Sequence, residues 1–178
     1  MKNFLAVAVA FSALTSLAMA DGLEVGSPVN AFYVKDVTGP AAGTKLCYRC
    51  RYGDRPVVSI FAREVNGEVK SLIHEVDAVV GKNQAKDMKA FVVLLSDEPE
   101  AKEADLKKVA ADAKVANTPL TTFDGNVGPR DYKIAQDAQV TVMMWVDGKL
   151  KVNEAYKPGE LTQDKISGLL GKTSQILN

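Results

Sequence analysis

The sequence predicts an α/β domain: a mixed central sheet flanked by helices, with an N-terminal β-hairpin extension. Three observations carry this. Val57–Phe61 and Phe91–Leu95 are short, continuous apolar runs, the pattern of strands covered on both faces. Between and after them the apolar period changes to that of helices. Near the end, Asp147-Gly148 separates two strand-like runs, the strongest two-residue hairpin signal.

The elements follow in order. Residues 1–20 read as a secretory signal peptide rather than as part of the fold. Lys2 supplies a positive start, Phe4–Leu17 is apolar, and Ala18-Met19-Ala20 is an A-x-A cleavage site. The apolar run is shorter than the ~20 residues that span a bilayer, so no stable membrane association is expected. Export to the periplasm or the exterior follows, and Asp21 begins the mature chain. Residues 21–178 then form one domain of ordinary size. Lys2 is the only charge removed, which leaves 21 basic residues against 22 acidic. With no basic patch, nucleic acid is not implied.

Val29–Val37 reads as a strand, rich in β-branched and aromatic residues. Thr38–Gly43 turns, and Lys45–Arg51 is expected to be extended, as the return arm of a hairpin. Gly53-Asp54 turns the chain into the strand Val57–Phe61. Val65, Val69, Leu72, Ile73, Val76, Val79 and Val80 recur at helical spacing, and Gly81 fits as a stop. Ala90–Leu95 is a second buried strand. Ser96–Pro99 carries the signals of a helix start, and that helix is expected to reach about Val115. Thr118–Phe123 is a short strand, and Tyr132–Ala135 a single helical turn. Val140–Val146 and Lys149–Tyr156 form the terminal hairpin, and Leu161–Leu170 is a closing helix. Trp145, Met143 and Met144 lie in a strand and read as core. His74, the only histidine, reads as a partly buried or surface helix residue; a catalytic base would need a partner in reach.

Cys47 and Cys50, the only two cysteines, form a CxxC motif just ahead of the central strand. Three readings stay open: a redox-active catalytic pair, a structural disulfide, and metal-bound or free thiols. The first two need a backbone turn between the cysteines. An extended chain would hold the Cα atoms roughly 10 Å apart, and a disulfide needs less than ~7 Å. Arg49 and Arg51 are cations that favour a thiolate. A four-ligand zinc site would need two chains sharing their CxxC pairs, so no metal and no other cofactor is expected. Arg51 after Cys50 rules out CxxCH haem attachment. The partner such a pair implies is a protein thiol or disulfide; oligomeric state is not readable.

The chain resembles the thioredoxin-like superfamily, in particular its peroxiredoxin-like branch of the alkyl hydroperoxide reductase/thiol-specific antioxidant type. Val29–Gly39 matches the branch's opening hairpin, Arg55–Ala62 its central strand, and Val140–Gly148 its last hairpin. The resemblance implies a thioredoxin-like fold. It also implies a reactive Cys after the central strand, at a helix N-terminus, and a cis-proline opening the last hairpin. Here those positions hold Arg63, Glu64, Val65 and Asn66, and Val140. The family's catalytic residues therefore do not carry over. Arg63 and Glu64 remain candidates to line a site, read otherwise as a solvated ion pair. If the cysteine segment pairs antiparallel with the central strand, Cys47 approaches the helix that begins near Val65 and acts as the attacking thiol. If the cysteines stay at the other end of that strand, a passive disulfide is the better account, in a non-catalytic binding or structural module.

Overall fold

The computed structural model describes residues 22–177. The signal-peptide reading of residues 1–20 lies outside them. The strands are β1 (Val34–Asp36), β2 (Lys45–Leu46), β3 (Val57–Ala62), β4 (Lys89–Ser96), β5 (Leu120–Asp124), β6 (Val140–Val146) and β7 (Lys149–Tyr156). The helices are α1 (Tyr48–Tyr52), α2 (Gly67–Lys82), α3 (Glu103–Asp112) and α4 (Gln163–Gly171). The sheet runs in the order β2-β1-β5-β4-β3-β6-β7. β3 pairs parallel with β4, and β4 with β5, while the remaining pairings are antiparallel.

Every residue of β3 is buried, because both faces of the sheet are covered. On one face Val58, Ile60 and Leu94 pack with Leu72 and Val76 of α2, Val109 of α3 and Ile166 of α4. Helical spacing put those apolar residues on one side of each helix. The other face is aromatic. Phe61, Phe91 and Trp145 meet Tyr48 and Tyr52 of α1 there, together with Phe32 and Tyr132 from irregular segments. Phe61, Leu94 and Val142 are 1%, 4% and 0% exposed, as central-strand residues should be. Asp147 and Gly148 both take the left-handed conformation, at φ 55° and 67°, that a two-residue hairpin of this hand requires.

Several boundaries depart from expectation. Of Val29–Val37 only Val34–Asp36 is strand. The Val29 N–H instead bonds Gly148 O in the β6–β7 turn (2.9 Å), and Gly26 and Ser27 exchange backbone bonds with Leu150. The segment from Gly26 to Val29 thus laps the start of β7. The extended reading of Lys45–Arg51 holds for Lys45–Leu46 alone, since a helical turn begins at Tyr48. α2 starts at Gly67, where the Asn66 side chain caps Val69 N, and it passes through Gly81 to Lys82. Gly81 is not among the positive-φ glycines and so continues the helix instead of stopping it; Asn83 closes the end by bonding Val79 O. α3 begins after a 3-10 turn at Glu100–Lys102 and ends at Asp112, with Lys114 left-handed at φ 51°. The single turn expected at Tyr132–Ala135 lies at Arg130–Tyr132. The closing helix begins at Gln163, capped by Thr162.

Candidate functional site

α1 is five residues long, and Cys47 is its N-cap. The residue before the helix is extended (φ −106°, ψ 102°), and its sulfur accepts the Cys50 N–H at 3.0 Å. That turn brings the Cα atoms to 5.2 Å, and the two sulfurs are bonded. The fully extended alternative is thereby excluded. Within the pair the residues differ: Cys47 is only 7% exposed, whereas Cys50 is exposed. That is the reverse of the accessibility an attacking Cys47 would need.

Two tyrosines hold α1 down. At positions i and i+4 they share one helix face, and both are buried. Tyr48 stacks on Phe91 with ring centroids 5.4 Å apart, and Tyr52 lies 5.1 Å from Tyr48. The Tyr48 hydroxyl donates to Asp36 Oδ2 at 2.8 Å. Asp36 is completely buried, and it also accepts from Gly39 N (2.7 Å) and Ala41 N (2.8 Å). The first turn of the chain is thus tied to the cysteine helix. Burial, reinforced by Asp36, pushes the Tyr48 hydroxyl far above its ordinary range, and burial does the same to Tyr52. Both act as hydrogen-bond donors, not as acids, at neutral pH.

Arg49 is engaged by backbone carbonyls. Its Nε donates to Val29 O (2.9 Å) and its Nη1 to Gly53 O (3.3 Å). Its guanidinium fills the space over Gly148, where a Cβ would lie 2.5 Å from Nη2. The β6–β7 turn flanks the beginning of β3, because Val57 pairs with Trp145 and Asp147 N bonds Asp54 O. The cysteine helix therefore sits at the end of the sheet where β3 starts. α2 begins at the other end, after Ala62. Six residues at ~3.3 Å each separate the two ends by about 20 Å. The cysteine segment pairs with β1, not β3, so the condition for sharing the α2 N-terminus is not met.

Arg63 and Glu64 occupy that far end, and the expected ion pair between them does not form among the described residues. Arg63 is half-buried. Its Nη1 donates to Ala138 O, while its Nη2 is buried without a partner. Burial lowers its basicity from the ordinary value, partly offset by Asp137. Glu64 is exposed. The structure thus keeps Cys47, Cys50 and Arg49 together and holds Arg63 and Glu64 apart from them. Both far residues border a cavity of about 380 Å³ between α2 and α3. His74 is exposed, with Nδ1 2.9 Å from Ala113 O, and it forms no ion pair among the described residues. Among the described residues no three His, Cys, Asp or Glu side chains group as a metal site would require, and no helix is long and apolar enough to cross a membrane. Sequence reasoning missed the Asp36–Tyr48 contact. The Tyr48/Tyr52 spacing was its only trace.

No family model and no curated protein sequence matches the chain. Solved structures do. A Chlorobium tepidum protein assigned as the thiol:disulfide interchange protein DsbE aligns at TM-score 0.67 and 17% identity, over 88% of this chain and 99% of that one. The thioredoxin domain of a Bacteroides vulgatus thiol-disulfide oxidoreductase aligns at 0.62 and 16%, over 88% and 99%. The mitochondrial 2-Cys peroxiredoxin of Plasmodium falciparum aligns at 0.64 and 10%, over 86% and 94%. The chain has the thioredoxin-like fold, with neighbours among both oxidoreductases and peroxiredoxins, and it carries its CxxC pair away from the end of β3.

Proposed function

We propose that the chain is an exported thiol–disulfide redox protein whose exchanging group is the Cys47–Cys50 pair. The observation that carries this is the asymmetry of the pair: exposed Cys50 is disulfide-bonded to buried Cys47, whose sulfur already accepts a backbone N–H. A partner thiolate attacks Cys50 Sγ in line with the S–S bond. The new bond joins the partner sulfur to Cys50, and the electron pair of the broken bond leaves on Cys47 Sγ. A leaving thiol departs faster when its thiolate is stabilised, and the Cys50 N–H is in place for that. Attack by a second partner thiolate on the partner's own sulfur then releases the partner as a disulfide and Cys50 as a thiolate. The protein takes up two electrons and, once both thiolates are protonated, two protons. The partner class is a protein carrying a pair of thiols. Export rests on Ala18-Met19-Ala20 after the apolar run, and a secreted product whose mass begins at Asp21 is expected.

A second reading, a non-catalytic thioredoxin-fold module with a structural disulfide, is favoured by one feature. Arg63–Asn66 offers no nucleophile at the strand-to-helix turn, and Val140 stands where the fold's proline would. Redox equilibration against glutathione or dithiothreitol separates the two readings. An exchanging pair should have a reduction potential above about −300 mV, a structural one below it. With Cys47→Ser, Cys50 should trap a mixed disulfide with glutathione; with Cys50→Ser, buried Cys47 should trap far less. A potential below that limit, with no trapping by either variant, selects the structural module.

A further inference from the structure

The other end of the sheet carries a feature that the redox reading does not use and that stands independently of it. Beyond the carboxyl ends of β3 and β4, the turn after β3, the first turns of α2 and the length of α3 enclose the cavity of about 380 Å³. Four cations border it: Arg63, Lys70, Lys102 and Lys108. Only two acids do, Glu64 and Asp105. The chain as a whole is balanced, with 22 basic and 22 acidic residues, so this excess is local. None of the four cations forms an ion pair among the described residues, although five such pairs exist elsewhere.

Arg63 makes the imbalance costly. A half-buried guanidinium has lost part of its hydration, and desolvated charges are normally paired. Its one carbonyl bond is to Ala138, and the buried Nη2 has no acceptor. Buried polar atoms without a partner are rare and call for an explanation, a bound ion among them. The nearby carboxylate of Asp137 is taken by Lys157 at 2.7 Å. The cavity floor is apolar: Leu94, Leu106 and Val109 border it beneath the charged rim. A bare inorganic ion would leave that floor uncovered. The size lies at the low end of small-molecule sites, and ligands of open α/β sheets sit outside the carboxyl ends of parallel strands.

The geometry points to a binding site for a small organic anion, with an oxyanion head held by the cationic rim of Arg63, Lys70, Lys102 and Lys108 and a hydrocarbon body against the Leu94–Val109 floor. Head and body are recognised separately. An alcohol of the same chain length lacks the first contact, and inorganic phosphate lacks the second.

The test uses octanoate as probe, followed by amide chemical shifts of the mature chain at low ionic strength. Saturable shifts confined to residues 63–70 and 102–109 are expected. Octanol and inorganic phosphate should each bind at least about tenfold more weakly, a margin of about 1.4 kcal/mol. Lys102→Gln/Lys108→Gln should weaken octanoate by roughly 3- to 30-fold, the span of two exposed charge contacts. Both lysines are exposed, so the variant keeps its fold. Absence of saturable octanoate shifts, shifts centred elsewhere, equal binding of octanol, or an unchanged affinity in the double variant would each overturn the site.

Discussion

Replacing Tyr48 by Phe isolates the contact that ties the cysteine helix to the N-terminal hairpin. The ring stays: it is 1% exposed, stacked on Phe91, and loses no apolar area. Only the hydroxyl goes, and with it a buried 2.8 Å hydrogen bond to Asp36. Hydrogen bonds to charged groups are worth ~1.5–3 kcal/mol. Asp36 keeps two backbone donors, Gly39 and Ala41, so the carboxylate is not orphaned and the lower half of that range applies. We expect a loss of about 1.5–2 kcal/mol, a sizeable part of the ~5–15 kcal/mol that stabilises a domain. In urea, with a slope of ~1–3 kcal/mol/M, the midpoint should fall by about 0.5–2 M at unchanged slope. Tyr33→Phe is the control, because Tyr33 is 67% exposed. A loss below about 0.5 kcal/mol, or one equal to that of Tyr33→Phe, would mean that Asp36 does not hold α1 through Tyr48.

Truncating Leu94 to Ala should cost ~2–5 kcal/mol, because Leu94 lies in β4 between β3 and β5 and packs in the larger core; a loss well below 1 kcal/mol in the same urea assay would deny β4 its central place. Tyr48, Tyr52, Tyr132 and Tyr156 are all raised by burial, Tyr156 to about 12. Since these folded-state values exceed the unfolded ~10, their stabilisation is complete below pH ~10 and is lost as pH climbs towards the folded values. An absorbance titration should therefore show these four ionising only as the circular dichroism signal of folding disappears; tyrosinate from all four while the fold persists would contradict their burial.

The sheet was legible because its signals are local and repeated. Val57–Phe61, Phe91–Leu95 and the run from Val140 to Tyr156 announce themselves by unbroken or alternating apolar residues around one Asp-Gly turn. The α2 stripe was equally plain, though Asn66 rather than Val65 marks its start. The cysteine segment was not legible. A helix of five residues is too short for a period to register, and what stabilises it lies far off in sequence: Phe91 under Tyr48 and Asp36 against its hydroxyl. The placement of Arg49 depended on Val29 and Gly148, neither of which carries a chemical signature. At the other end, Arg63 was noticed for its position in the turn after β3. Its isolation was hidden, because its one acceptor, Ala138, lies 75 residues away.

The lap of Gly26–Val29 over β7 bears on how the molecule behaves in a crowd of its own copies. A sheet has two borders with unpaired backbone groups, and an open border recruits strands from other molecules. On one side β2 is only two residues long and offers little to pair with. On the other, β7 is eight residues long, and its start is covered by the bonds from Gly26 to Leu150 and from Leu150 to Ser27, and by the one from Val29 to Gly148 just before it. Farther along, Asn153 reaches across to Leu23 O. The segment from Leu23 to Val29 thus covers part of the β7 border against strands from other copies. A chain shortened to begin at Asn30 would keep its cysteine pair but lose Val29 from the core along with the carbonyl that Arg49 bonds, and it would present a bare strand border to its neighbours and clump at concentrations that the longer chain tolerates.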